Sequence, residues 1–205
     1  MLAVVTVVLV LETMSGRITL FPGWLRWGLA CAVLVPVALV ALSPVPGRWL
    51  ALERAVTYVF CITTMAGTIA NLANLVTSMV NRAQEVTGPQ LLSSSIGVWL
   101  VNILGFSLLY WQVDRGGPGL RGAGGGPRPD WLFPQAGAPP EDVPPGWRPT
   151  YVDYLFLAFW TATAFSPTDA LPLTSRAKLM MMIESSISLA TIIVVASRAI
   201  NILGS

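Results

Sequence analysis

The distribution of charge constrains this chain more than any other feature. No charged residue lies between Glu85 and Asp114, and none lies between Arg54 and Arg82. Runs of that length predict transmembrane helices, because roughly 20 apolar residues cross a bilayer core of roughly 30 Å. A soluble helical bundle needs a polar face on each surface helix, and these runs supply none. Overall, 54% of residues are hydrophobic and 11% are charged.

Residues 1–88 read as a set of membrane helices. Met1 to Leu11 is apolar, but Glu12 and Arg17 follow soon after it, which predicts a short or tilted first helix. No positive head precedes it, as a signal peptide would require. Trp24 to Leu42 is a fuller span, with Trp24 and Trp27 as interfacial anchors and Pro36 as a kink. Leu50 to Val80 carries Thr57, Thr64, Thr68, Asn71, Asn74, Ser78 and Asn81 roughly on one stripe. Such a stripe either hydrogen-bonds to neighbouring helices or lines a water-filled crevice. Arginine at every third position, the mark of a voltage sensor, does not occur there.

Residues 89–205 are organised differently. Leu91 to Tyr110 is a further span with Asn102 at mid-depth, and Tyr110 and Trp111 are expected to anchor its far end at the interface. Residues 113–149 then turn to glycine and proline, predicting a mobile loop outside the bilayer. Trp131, Phe133 and Trp147 would pin that loop to the membrane surface. Thr150-Tyr-Val-Asp153, with Pro149 just ahead, fits a capping box opening a helix over Tyr151 to Phe165. That helix is too short to cross a bilayer and too apolar for a water-exposed loop. A half-helix that enters and turns back must border a cavity, because bare backbone cannot face lipid. A polar hairpin with Ser166-Pro-Thr-Asp169 follows, and Thr174 or Ser175 is expected to cap a last long helix running to Leu203.

The C-terminal stretch resembles the pore module of the tetrameric potassium-channel superfamily, and also a bacterial multi-pass membrane family with the same degenerate hairpin. Thr161-Ala-Thr163 matches the pore helix's Thr-x-Thr. Ala164, Phe165, Ser166, Pro167, Thr168 and Asp169 then fall on the filter's Thr-Val-Gly-Tyr-Gly-Asp. Leu171-Pro-Leu-Thr174 matches Val-Pro-Thr-Thr, and Met182-Ile-Glu184-Ser-Ser-Ile-Ser188 matches an inner-helix Leu-Glu-Ala-Leu-Ile-Gly, placing Ser188 at the gating hinge. Ser197-Arg198-Ala-Ile matches an Ala-Arg-Leu-Val ending. The resemblance covers Leu91 to Leu203. It implies a pore built from several copies, most plausibly a tetramer, with Thr161, Thr163 and residues 164–169 at the pore and Glu184 and Ser188 on the inner helix.

The departures bear on selectivity. Both filter glycines are replaced, and Pro167 fixes its own φ and pushes Ser166 out of the α region. A ladder of inward carbonyls therefore cannot be assumed. Rings of hydroxyls and a ring of Asp169 carboxylates would give weak cation preference without potassium selectivity. In the alternative, Asp169 caps a turn or pairs with Arg176 or Lys178. Glu184 either faces the pore or pairs behind the hairpin, with Lys178 or a pore-helix threonine. Ser185, Ser186 and Ser188 suit close helix contact, and Arg198 suits the opposite membrane edge.

Histidine is absent, which removes the commonest general base and metal ligand. Cys31 and Cys61 sit in separate apolar spans and read as packing residues. No cofactor, no nucleic-acid partner and no enzymatic activity is expected. Channel topology puts loop 113–149 outside, whereas the positive-inside rule favours the reverse orientation. The expectation is an all-α integral membrane protein of the cell membrane, with about five transmembrane helices plus a re-entrant pore helix. Its partners would be the bilayer, permeant inorganic ions and further copies of itself. Its function would be ion conduction or, alternatively, a non-conducting scaffold or regulatory role that keeps the pore fold.

Overall fold

A computed structural model describes residues 88–122, 126–164 and 170–203, together with helical positions scattered between Ala55 and Thr77. The predicted first two spans, most of the polar stripe and Phe165 to Asp169 lie outside the described residues. Of that stripe, Thr68 is described, and it is buried. Cys61 is buried with a free thiol.

The described chain is mostly helical. Helix α1 spans Gly88–Val113, α2 is the short turn Pro118–Gly122, α3 spans Tyr151–Ala164 and α4 spans Ser175–Leu203. At about 1.5 Å per residue, α1 is roughly 39 Å long, α3 roughly 21 Å and α4 roughly 43 Å. Two of the helices hold stretches long and apolar enough to cross a membrane, Ser95–Gly116 and Ser175–Ser197. The first is longer than the predicted Leu91 to Tyr110.

Local chemistry sets the ends. Asp114, Arg115 and Gly116 form a 3-10 turn after α1, and three successive residues, Arg115, Gly116 and Gly117, take positive φ. A helix cannot continue through that conformation. Ahead of α3, the Asp153 carboxylate accepts the Thr150 amide at 2.6 Å, one half of a capping box; the Thr150 hydroxyl donates to the same carboxylate at 2.7 Å, and the Asp153 amide donates to the Thr150 carbonyl at 3.2 Å. Ahead of α4, Thr174 is the cap: its Oγ1 accepts the Ala177 amide at 3.2 Å.

The three long helices pack on one another. Ala158, Ala162 and Ala177 are fully buried, and side chains that small let backbones approach closely. Trp99 meets Phe159 and Trp111 meets Tyr151, each pair with ring centroids 5.9 Å apart, so α3 runs antiparallel to α1. A two-stranded antiparallel ladder joins β1 (Trp131–Leu132) to β2 (Leu171–Pro172), with Trp131 opposite Pro172.

Candidate functional site

The site begins where α3 stops. Ser185 Oγ donates to the Thr161 carbonyl at 3.2 Å, which sets the C-terminal end of α3 beside the tenth residue after the start of α4. That contact lies roughly 15 Å along α4, well short of its midpoint. By Leu171 the chain is back at the end where it started, paired with Leu132. The Leu173 amide donates to the Asp130 carbonyl at 2.8 Å. Helix α3 therefore descends partway between two longer helices, and the chain returns to the same end.

Two buried aspartates brace that end. Asp114 Oδ2 accepts the Tyr154 hydroxyl at 2.5 Å, and Asp114 Oδ1 accepts the Asp130 amide at 2.7 Å. Asp130 in turn accepts the Thr174 hydroxyl at 2.6 Å and both Nε and Nη2 of Arg176, at 2.6 and 2.5 Å. Bidentate guanidinium–carboxylate pairing fixes orientation as well as distance. Burial, and then the neighbouring Asp114 carboxylate, raises the Tyr154 phenol well above its ordinary range, so Tyr154 stays a donor. A pair with Asp169 was one of the alternatives for Arg176; the partner it has is Asp130, which lies farther away in sequence.

Two of the three loop aromatics, Trp131 and Phe133, are core residues rather than surface anchors, whereas Trp147 is half-buried. Trp131 is 1% exposed and Phe133 is 6% exposed. Trp131 inserts against Tyr110, centroids 4.8 Å apart, and its indole N–H donates to Met181 Sδ at 3.4 Å. Phe133 stacks edge-on against Tyr154 and Trp147. Tyr110 is likewise fully buried, not interfacial. Each aromatic finds in the helix bundle both an apolar wall and, for tyrosine and tryptophan, an acceptor for its polar atom. The glycine- and proline-rich composition hid this anchoring.

A second polar cluster lies deeper. Tyr110 Oη donates to Glu184 Oε2 at 2.5 Å, while Asn102 Nδ2 donates to the Glu184 carbonyl at 3.1 Å and to Ser188 Oγ at 2.9 Å. Glu184 and Ser188 are fully buried within one copy of the chain, and Glu184 Oε1 has no hydrogen-bond partner among the described residues. Both residues pack against α1. The partner of Glu184 is thus Tyr110, and neither Lys178 nor a threonine of α3 fills that role.

Of the residues expected at the pore, Thr161 and Thr163 lie on the last turn of α3, their hydroxyls donating to the carbonyls of Leu157 and Phe159, each at 2.8 Å. Thr161 is buried and Thr163 is partly exposed. Ala164 closes the helix, and Phe165, Ser166, Pro167, Thr168 and Asp169 lie outside the described residues. The sequence reading missed Asp114, Asp130, Tyr110 and Tyr154. Asp114, the charge that closes the run after Glu85, was the available signal. No protein-family model, curated protein or solved structure matches this chain.

Proposed function

We propose that this chain is an oligomeric, multi-pass membrane ion channel. Copies, four in the favoured arrangement, would set their hairpins around a shared axis, with cations preferred. The observation that supports it most is the half-length α3 between span-length α1 and α4, with the chain returning to its starting end. In a bilayer such a segment is re-entrant, and non-helical backbone at that depth is tolerated beside a cavity, not beside lipid. The carbonyl end of α3 carries partial negative charge, which favours a cation. On α3, Val152, Phe156, Phe159 and Trp160 are exposed and apolar, a surface suited to lipid or to neighbouring copies.

Selectivity would be weak, because Ser166 and Thr168 stand where a potassium filter needs glycine. The same replacement favours a second reading, a non-conducting scaffold or regulatory subunit that keeps the architecture. Purified protein in liposomes, given K⁺, Na⁺ and Cl⁻ gradients, separates the two. Conduction predicts a cation leak that Asp169→Asn shifts towards anions. Silence from an intact tetramer supports the scaffold, and a stable monomer in mild detergent overturns both.

A further inference from the structure

We infer that the cavity between the end of α1 and the proline-rich part of the loop binds a phosphate-class oxyanion, either free or carried on a lipid headgroup. The cavity measures about 590 Å³, and its lining includes Arg115, Arg121, Arg148, Gln135 and Trp147. That volume falls within the range of ligand pockets, roughly 300–1,000 Å³, and leaves room for more than a bare ion. Three arginines line it, and among its described lining residues none is acidic.

Arg121 is the built part of the site. It is 7% exposed, and its Nη1 is pinned by the carbonyls of Trp111 at 2.8 Å and Asp114 at 2.6 Å. The Tyr154 ring lies 5.0 Å from its guanidinium carbon. Its Nη2 is buried and has no hydrogen-bond partner among the described residues, a costly omission for a charged donor. Arg148 Nη1 donates to the Arg121 carbonyl at 2.7 Å, bringing a second guanidinium alongside. Arg115 holds φ at +51°, a conformation that a non-glycine residue seldom takes outside sites with a purpose.

Asp114 offsets part of the Arg121 charge, but it does not line the cavity. The Asp114 carboxylate is engaged by Tyr154 and by the Asp130 amide. Glu141 and Asp142 fall between two lining residues, Pro140 and Val143, without lining the cavity themselves. A phosphate accepts from planar guanidinium groups in two-pronged fashion, which is the recognition arginine serves best. The inference is independent of conduction.

The test uses the full chain, delipidated in neutral detergent and titrated calorimetrically with inorganic phosphate. In parallel, native mass spectrometry counts lipids retained from nanodiscs of phosphatidylcholine with or without phosphatidylglycerol. Saturable phosphate binding assigns a free anion, selective retention of phosphatidylglycerol assigns a headgroup, and both together assign the shared chemistry. Arg115→Gln with Arg148→Gln changes exposed side chains and should weaken the positive arm about tenfold or more, the loss expected for charge-assisted bonds. Arg121→Gln should weaken it further while the circular dichroism spectrum holds. Absence of saturable binding in both arms, or binding that the double variant leaves unchanged, overturns the inference.

Discussion

Asp114 and Asp130 meet through one hydrogen bond, from the Asp130 amide to Asp114 Oδ1 at 2.7 Å, and that contact couples the two flanks of the hairpin. Asp114 holds α3 through Tyr154, and Asp130 holds the start of α4 through Thr174 and Arg176. The loop that carries Asp130 thus ties the start of α3 to the start of α4.

Removing the two partners of the Asp130–Arg176 pair should have unequal effects. The Arg176 side chain is 55% exposed, whereas that of Asp130 is fully buried. Asp130→Asn frees an arginine that water can solvate, so it should cost about 1–2 kcal/mol. Arg176→Ala strands a buried carboxylate with Thr174 as its remaining side-chain donor, and should cost about 2–3 kcal/mol. Equal losses in denaturant or thermal unfolding of the purified variants would contradict the buried-charge account.

Tyr154 should impose an alkaline limit on stability. Burial and the Asp114 carboxylate raise its pKa above the ordinary value of 10.0, so the folded chain keeps a proton that the unfolded chain releases above about pH 10. The unfolded state then binds fewer protons, and stability falls as pH rises. Melting temperatures measured from pH 8 to 11.5 should drop at the alkaline end. Tyr154→Phe should flatten that drop while lowering stability at neutral pH by about 1–2 kcal/mol, because Asp114 Oδ2 loses its donor.

The helices and their caps were legible because each depends on neighbours in sequence. Charge-free runs marked α1, Thr150 with Asp153 marked the start of α3, and Thr174 marked the start of α4. The bracing was not legible, because it joins residues across a loop whose composition predicts only irregular chain. Asp130 and Arg176 are 46 positions apart, and sequence proximity offers Asp169 as one alternative for Arg176, not Asp130. Trp131 shows the same limit. A tryptophan near prolines reads alike whether it rests on a bilayer or plugs a helix bundle, and only tertiary packing against Tyr110 and Met181 decides.

The Tyr110–Glu184 contact should behave as a coupled pair. Tyr110→Phe removes the donor to Glu184 Oε2 in a fully buried setting, since both residues are 0% exposed. That should cost about 1–3 kcal/mol. Glu184→Gln keeps an acceptor for Tyr110 and should cost less. A double-mutant cycle with Tyr110→Phe and Glu184→Leu, which removes the acceptor, should give a coupling of at least about 0.5 kcal/mol. Additive losses would mean that the contact contributes little.

Gly126 gives the sharpest test of whether the loop's shape serves the hairpin. Its φ is +120°, and an added Cβ would lie 2.5 Å from the Arg115 carbonyl oxygen. Backbone cannot yield there as a flexible side chain could, so Gly126→Ala must open the turn that brings residue 130 over residue 114. Gly146 also has positive φ, yet a Cβ there meets nothing within 4 Å. Gly126→Ala should therefore raise the rate of limited proteolysis between residues 115 and 148 and lower the melting temperature. Gly146→Ala should have the smaller effect on both, through backbone strain alone. If the two variants behave alike, the close approach at Arg115 does not hold Asp130 in place. If Gly126→Ala also changes the liposome leak while helix content is unchanged, the loop sets the geometry of the hairpin through the two aspartates.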